Sequence, residues 1–195
     1  MDLALSGQAA ALARGLAVFP ISPGSRLAPP GWQTRASRDP DQMWPQSSNI
    51  GVGCRASGIV VLDLDRKHGV DGIATLDALR AEQGQPWPAT FTVATAGGGL
   101  HLYFTAPPDR VVVNTIGLLG HGVDVRAPGR TSGGYVIGPG SIVGGRAYTI
   151  DRDLPIEALP AWLLRRLCPP GTRVQLGAKT GNVRVLVDRA PQRRR

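Results

Sequence analysis

The sequence has few cysteines and no long apolar run, and both shortages exclude classes of protein. Cys54 and Cys168 are its two cysteines, and neither belongs to a CxxC pair. Their number and spacing exclude structural zinc sites built from four cysteines or from two cysteines and two histidines. We interpret both residues as reduced, partly buried thiols. No apolar stretch approaches the about 20 residues that a membrane-spanning helix requires, so we expect no membrane contact.

Acidic residues are scarce at the C-terminal end. The chain has 22 Lys and Arg against 14 Asp and Glu, a net charge of +8. Residues 1–164 contain 13 of each, whereas residues 165–195 contain nine basic residues and a single acidic one, Asp188. A basic segment of this kind binds polyanions through counterion release, although a solvated tail or a linker is the alternative. We therefore predict a main domain at 1–168 and a basic tail or linker at 169–195.

The remaining composition is that of one folded domain. Of the 195 residues, 42% are hydrophobic and 18% are charged. This length suits a single compact domain with a sizeable core. The Met1-Asp2 start lacks the basic region of a signal peptide, so we expect a cytoplasmic protein.

Hydrophobic periodicity and turn residues predict a mixture of helices and strands. Helices are predicted at Leu3–Leu16, briefly after Asp39, at Gly72–Gln83 and at about Pro155–Leu167. Strands are predicted at 17–21, 50–54, 58–65, 90–95, 100–105, 111–113, 122–126, 135–137 and 147–150. A loop rich in proline and glycine is predicted at 22–31. Strands with flanking helices, rather than a regular βαβ alternation, indicate an α+β fold.

Two carboxylates end the most apolar of the predicted strands. Because successive side chains of a strand point to opposite faces, Asp63 and Asp65 share one face while Leu62 and Leu64 point to the other. Two anions about 6–7 Å apart repel each other unless a positive group lies between them. A divalent metal ion is the favoured candidate for that group.

Three further segments combine glycine with polar residues. The glycine triplet 97–99 precedes His101, and its amides can form an anion-holding concavity, although a purely structural hairpin has the same pattern. Asp124 and Arg126 share one strand face, where they form either an ordinary ion pair or a metal ligand beside a guanidinium for phosphate. Ser141 follows a later strand and either contacts a nucleotide or caps the turn.

In this order, the motifs resemble those of the primase–polymerase domain of the archaeo-eukaryotic primase superfamily. The matching motifs are Asp-Leu-Asp at 63–65, Thr-x-Gly-Gly-Gly-x-His-Leu-Tyr-Phe at 95–104, Gly-Val-Asp-Val-Arg at 122–126, Gly-Gly-Tyr-Val-Ile-x-Pro-x-Ser at 133–141, and Tyr148. The earlier matches are Phe19-Pro20, the Trp32 loop, a helix at Met43-Trp44-Pro45, and Asn49-Ile50-Gly51-Val52-Gly53. The resemblance extends over about residues 12–165.

The resemblance implies an RRM-like α+β catalytic core joined to an N-terminal α/β portion, with mixed or antiparallel sheets flanked by helices. It implies a catalytic domain at 1–168 that adds nucleotides from NTPs or dNTPs to a primer on a single-stranded DNA template, by two-metal catalysis with Mg²⁺ or Mn²⁺. Asp63, Asp65 and Asp124 match the catalytic metal ligands. The positions expected at the nucleotide are His101, Arg126, Gly98, Gly99 and Ser141.

The chain departs from the family pattern at three points. Relatives often carry a lysine in the early loop, where this chain has Arg26. A serine often precedes the paired glycines, and Gly97 occupies that position here. The cysteines of the zinc module that some relatives use to initiate primers are absent, so we expect nucleotide addition and leave primer initiation open.

Two other functions agree with the residues alone. A two-metal nuclease or phosphoesterase would use the same carboxylates to activate water instead of a sugar hydroxyl. A catalytically silent, nucleic-acid-binding replication module would depend on the basic tail. A helicase domain or helicase protein is a further partner that the resemblance implies.

Overall fold

A computed structural model describes residues 3–42, 44–45 and 47–168 of the chain. The helices in this part are α1 (Leu3–Ala13), α2 (Trp32–Arg35), α3 (Cys54–Ser57), α4 (Gly72–Glu82) and α5 (Ala161–Leu167). The strands are β1 (Val18–Ile21), β2 (Asn49–Gly53), β3 (Ile59–Leu64), β4 (Arg66–Lys67), β5 (Val70–Asp71), β6 (Thr92–Ala94), β7 (Leu100–Thr105), β8 (Val123–Arg126), β9 (Tyr135–Ile137), β10 (Ile142–Val143), β11 (Arg146–Ala147), β12 (Thr149–Arg152) and β13 (Glu157–Ala158).

Six strands form the central sheet. Their order is β12-β6-β7-β3-β8, and β13 pairs with the end of β7. Strand β3 lies in the middle and pairs antiparallel with β7 on one side and with β8 on the other. The run β6-β7-β3-β8 is therefore a four-stranded antiparallel sheet, as an RRM-like core requires. Antiparallel sheets with few helices confirm the predicted α+β class.

The central strand β3 is buried on both faces, which explains its continuous apolar run. On one face, Leu62 packs in a cluster with Leu76 of α4 and Leu163 of α5. On the other face, Val61 packs in a second cluster with Val52 of the neighbouring sheet. At the polar end of this second face, β3 meets an opening between the two sheets rather than a filled core.

The second sheet has the order β1-β2-β9 and is antiparallel throughout. Helix α1 packs against it and contributes Ala11, which is fully buried. Gly15 ends the helix because its φ of 69° lies in the left-handed region that favours glycine. Strands β1 and β2 with α1 correspond to the predicted N-terminal α/β portion, whereas β9 joins this layer from the other half of the chain.

Most predicted elements are present within a few residues of the expected boundaries, and three predictions are wrong. Residues 111–113 form no strand, because the edge of β8 is bridged only at Thr115. The last helix begins at Ala161 rather than near Pro155, because Pro160 disfavours helical backbone at the residue before it. The segment after Asp39 forms a turn, since the Asp39 side chain accepts a hydrogen bond from the Asp41 amide.

Two predictions fall wholly or partly on residues outside the described ranges. The basic tail at 169–195 lies there, as does Met43 of the expected Met43-Trp44-Pro45 helix, while Trp44 and Pro45 belong to no helix. Both cysteines are free, as predicted, but Cys54 is fully rather than partly buried. Burial raises the pKa of Cys54 to about 12, so its thiol stays protonated. Within the described residues, none of the helices has the length and apolar character needed to cross a bilayer.

The sequence patterns do not predict the β4–β5 hairpin, whose strands are only two residues long. Arg66 pairs with Asp71 across it, and the turn places His68 and Gly69 at positive φ. Asp71 then caps helix α4, because its side chain accepts hydrogen bonds from the first amides of the helix. The hairpin thus connects the carboxylates at the end of β3 directly to α4.

Candidate functional site

A cavity of about 640 Å³ opens where the polar end of the central sheet faces the second sheet. The central sheet contributes Asp63, His101, Asp124 and Arg126 to its lining. The β4–β5 hairpin, the loop at 22–31 and strand β9 supply other parts of the lining. The structure therefore brings together, in one cavity, residues that lie more than 60 positions apart in the sequence.

Three of the predicted residues form a row across neighbouring strands. Asp63 of β3 lies directly opposite His101 of β7 on one side and directly opposite Asp124 of β8 on the other. Residues directly opposite each other in an antiparallel pair have Cβ atoms about 4.5–5.5 Å apart. The alternation that turns Leu62 and Val125 toward the helices turns this whole row toward the cavity.

His101 and Asp63 form the most buried pair of the row. The Nε2 atom of His101 is 3.3 Å from Oδ1 of Asp63, and the two side chains are 5% and 20% exposed. Burial alone would raise the pKa of Asp63, but the nearby His101, Arg126 and Lys67 outweigh it and lower that pKa. Asp63 is therefore held as a carboxylate, and its position depends on the imidazole.

Asp124 has the opposite electrostatic environment. Burial and the neighbouring carboxylates of Asp63 and Asp65 raise the pKa of Asp124 above its ordinary value, although Arg126 and the Gly117 amide act against this. The Gly117 amide donates to Oδ1 at 3.2 Å, and Arg126 donates to Oδ2 at 3.1 Å. Two like charges directly opposite each other destabilise a sheet. A positive charge nearby therefore stabilises the ionised form of Asp124.

Arg126 supplies part of that charge in the structure. Its Nη2 atom lies 3.1 Å from Asp124 Oδ2 and 3.8 Å from Asp63 Oδ2, so one guanidinium is shared between two carboxylates. Asp65, just beyond the end of β3, has its own cation, since Lys67 Nζ is 2.9 Å from Asp65 Oδ1. Each of the three predicted metal ligands therefore has a basic or imidazole partner.

Lys67 is a site residue that the sequence analysis does not identify. The sequence did contain a signal for it, because an alternation of period two places residue 67 on the same side as Asp63 and Asp65. Asn114 is another, and no sequence pattern marks it. The Ala127 amide donates to Oδ1 of Asn114 at 2.8 Å, and the side chain lines the cavity beside Arg126.

The predicted glycines Gly98 and Gly99 lie at the turn before β7 rather than in the lining of the cavity. The Gly98 amide donates to the Thr95 carbonyl at 2.9 Å, and the Gly99 amide donates to Thr95 Oγ1 at 3.0 Å. Gly98 has a φ of 83°, and a Cβ atom on Gly99 would clash with the Leu64 carbonyl of β3. Gly97, by contrast, lines the cavity.

Ser141 is fully buried and does not line the cavity. Its hydroxyl accepts a hydrogen bond of 2.8 Å from the Ile50 amide of β2. This contact joins the turn after β9 to the second sheet, so Ser141 has a structural part in the fold. Its contact with a nucleotide stays a prediction from the resemblance alone.

The carboxylates suit a hard divalent cation in their chemistry and their location. Asp63, Asp65 and Asp124 all offer oxygen donors to one cavity, and Mg²⁺ and Mn²⁺ prefer such donors. Among the described residues, however, no three His, Cys, Asp or Glu side chains are close enough to hold a metal ion as they stand. A metal ion held by all three carboxylates would therefore require these side chains to move closer together.

Comparison with protein families agrees with the geometry. The profile of the family described as "Bifunctional DNA primase/polymerase, N-terminal" (Prim-Pol) matches residues 8–162. A comparison with curated proteins finds no significant match. The matched range contains both large sheets and every residue that lines the cavity. The chain therefore belongs to the bifunctional DNA primase/polymerase N-terminal family, a family of nucleotidyltransferases of the primase/polymerase type.

Proposed function

We propose that this protein is a template-dependent nucleotidyltransferase that adds nucleotides from NTPs or dNTPs to a primer on single-stranded DNA. The observation that carries the proposal is the row of His101, Asp63 and Asp124 across three strands, which faces a cavity of about 640 Å³. A cavity of this size accommodates a nucleotide. The family membership supports DNA and nucleotides as the substrate class.

The carboxylates form the metal side of the proposed centre. Asp63, Asp65 and Asp124 would hold Mg²⁺ or Mn²⁺, which supplies Lewis-acid stabilisation of phosphate charge when it is bound. His101 keeps Asp63 ionised and oriented through the 3.3 Å contact. Arg126, once it moves from the carboxylates, would be positioned to donate to a phosphate oxygen.

Basic side chains form the phosphate side. The cavity lining includes Arg26, Arg66, Lys67 and Arg126. Arg66 pairs with Asp71, Lys67 with Asp65, and Arg126 with Asp124. Within the described residues, Arg26 is the one member of this set without a carboxylate at ion-pair distance. This lack of a carboxylate partner supports the assignment of Arg26 to the place of the lysine that relatives often carry.

The surplus of cations favours nucleotidyl transfer over the alternatives. A nuclease needs to activate water at one phosphodiester and has no need of a pocket for pyrophosphate. Four basic side chains around three carboxylates suit a triphosphate better. A catalytically silent module would rely on the basic tail. Such a function would leave the mutually repelling carboxylates of the cavity without a role. A helicase partner and a cytoplasmic location stay predictions from the sequence.

The proposal is tested by nucleotide incorporation. The full chain is incubated with Mn²⁺ or Mg²⁺, labelled nucleotides, and a primed or an unprimed single-stranded template. We expect the Asp63→Asn, Asp65→Asn double variant to lose incorporation by at least about 100-fold. Asp77→Asn is the matched control, because Asp77 pairs with Arg80 on the exposed side of α4 and does not line the cavity.

Equal incorporation by the wild type and the double variant would contradict the proposal. Cleavage of the template without incorporation would support the nuclease alternative instead. Incorporation on a primed template alone would indicate extension without primer initiation.

A further inference from the structure

A tyrosine hydroxyl of the second sheet holds the tip of the loop at 22–31. The Oη atom of Tyr135 accepts a hydrogen bond of 3.1 Å from the Ala28 amide and donates one of 3.0 Å to the Arg26 carbonyl. The residues before and after Leu27 are thereby hydrogen-bonded to the same oxygen atom. The loop tip is held in one place although Leu27 itself is 80% exposed at the rim of the cavity.

Tyr135 is a firm anchor for this loop. Its backbone lies in β9, directly opposite Gly53 of β2. Its ring packs at 5.8 Å edge-on to Phe19 and at 5.1 Å, tilted, to Trp32. Such aromatic contacts fix the ring, so the hydroxyl has a defined position. A substitution that removes only the hydroxyl would keep this packing.

A second tie holds the start of the loop. The Nδ2 atom of Asn49 donates to the Ser25 carbonyl at 2.9 Å, and the Leu27 amide donates to Ser25 Oγ at 3.0 Å. Asn49 itself is almost fully buried in β2. The stretch from 25 to 28 is thus ordered from both ends, with Arg26 between the two ties.

Arg26 is the residue that this arrangement presents to the cavity. It lines the cavity together with the acidic row, and its charge acts on Tyr148, which also lines the cavity. A guanidinium with no carboxylate partner in the described part of the chain, held in a cavity by an ordered loop, is suited to an anionic ligand. Because fewer motions are lost on binding, an ordered loop binds more tightly than a free one.

We propose that Tyr135 is a positioning residue whose hydroxyl holds the 22–31 loop so that Arg26 contacts a phosphate group of the substrate. The inference rests on the proposed function, since it assigns the cavity to a phosphate-bearing ligand. The phosphate comes either from the incoming nucleoside triphosphate or from the backbone of the single-stranded template. Both sources offer the same oxyanion to the guanidinium.

The experiment is a double-variant cycle on ligand binding with the full chain. The dissociation constants of ATP and dATP, with Ca²⁺ present to prevent turnover, and of a fluorescent single-stranded oligothymidylate are measured separately. We expect Tyr135→Phe to weaken one class of ligand by about 5- to 20-fold, and Arg26→Ala to weaken the same class at least as much. In the Arg26→Ala background, Tyr135→Phe should have no further effect.

The class of ligand that responds identifies the source of the phosphate. A loss for ATP and dATP assigns Arg26 to the triphosphate, and a loss for the oligonucleotide assigns it to the template backbone. Arg26→Lys should retain more affinity than Arg26→Ala in the wild-type background, because it keeps the charge. That advantage should disappear in the Tyr135→Phe background, where the loop no longer holds the charge in place.

Two matched controls separate this role from a general one. Thr34→Val removes a hydroxyl that donates to the Gly31 carbonyl on the adjoining segment, outside the cavity. Arg35→Ala removes an equal charge from the exposed end of α2, also outside the cavity. We expect both to leave the dissociation constants unchanged. Urea unfolding of all variants reports any loss of stability.

Three outcomes would overturn the proposal. They are unchanged affinity for every ligand in Tyr135→Phe, additive effects of Tyr135→Phe and Arg26→Ala, and equal effects in either control variant. Failure of the proposed function is read independently, by incorporation in the Asp63→Asn, Asp65→Asn variant. The expected coupling between Tyr135 and Arg26, together with unchanged incorporation in that variant, would retain Tyr135 as a positioning residue and reject the proposed carboxylate centre.

Discussion

His101 lies directly across from Asp63 on the neighbouring strand, with its Nε2 atom 3.3 Å from Oδ1 of the carboxylate. On the other side of β3, Asp63 has a second carboxylate, Asp124, as its direct neighbour. One neighbour stabilises the negative charge of Asp63 and the other opposes it. The consequences for stability differ in sign between the two aspartates, because Asp63 has the imidazole beside it and Asp124 does not.

We predict that neutralising the two aspartates changes stability in opposite directions. In the absence of divalent metal at neutral pH, Asp63→Asn should lose about 1–3 kcal/mol, because it removes the charged partner of buried His101. Asp124→Asn should gain about 1 kcal/mol, because it removes a carboxylate whose ionised form is disfavoured. Urea unfolding measures both values. Equal losses in the two variants would contradict this assignment of their environments.

We predict that Asp63 contributes to acid sensitivity. The pKa of Asp63 is lowered in the folded protein from its ordinary value of 3.8, so the folded state binds this proton less readily than the unfolded chain does. The stability from the ionised carboxylate is therefore fully present above about pH 4 and is lost as the pH falls through the lowered pKa. Urea unfolding at several pH values below 5 should show a shallower decline for Asp63→Asn than for the wild type. An unchanged decline would contradict the prediction.

We predict that the first and last glycines of the triplet 97–99 differ sharply in their tolerance of a side chain. Gly99→Ala should lose at least about 2 kcal/mol, because the new Cβ would clash with the Leu64 carbonyl of the neighbouring strand. Gly97→Ala should stay within about 0.5 kcal/mol, because only Thr95 Oγ1, at 3.8 Å, lies near its Cβ position. Thermal or urea unfolding compares them. Similar losses in both variants would argue against the close approach of this turn to β3.

We predict that Ser141→Ala affects stability rather than nucleotide binding. The substitution leaves the buried Ile50 amide without the acceptor that it has at 2.8 Å, which should cost about 1–2 kcal/mol. The dissociation constant of ATP should not change, because Ser141 does not line the cavity. Weaker nucleotide binding with unchanged stability would instead support the nucleotide contact that the family resemblance implies.

Local patterns were enough to predict the class of the fold and to mark Asp63, His101 and Asp124 as candidate residues, but not to predict that they lie side by side. Strands 100–105 and 135–137 have the predicted boundaries, because alternation and flanking glycines mark their ends. The expected strand at 111–113 and the early start of the last helix are wrong, since both depend on whether a partner strand or a proline lies alongside. The short β4–β5 hairpin has too few residues for any period to be visible.

The sequence by itself determined which side chains share a strand face. Asp63 with Asp65, and Asp124 with Arg126, are paired by an alternation that acts between residues two positions apart. Only the tertiary structure decided that β7 and β8 flank β3 on opposite sides, so that His101 and Asp124 both reach Asp63. It also decided that Tyr135 ties a loop more than 100 residues away. These contacts depend on strand order and loop closure, which are set by the packing of the whole domain rather than by neighbours in the sequence.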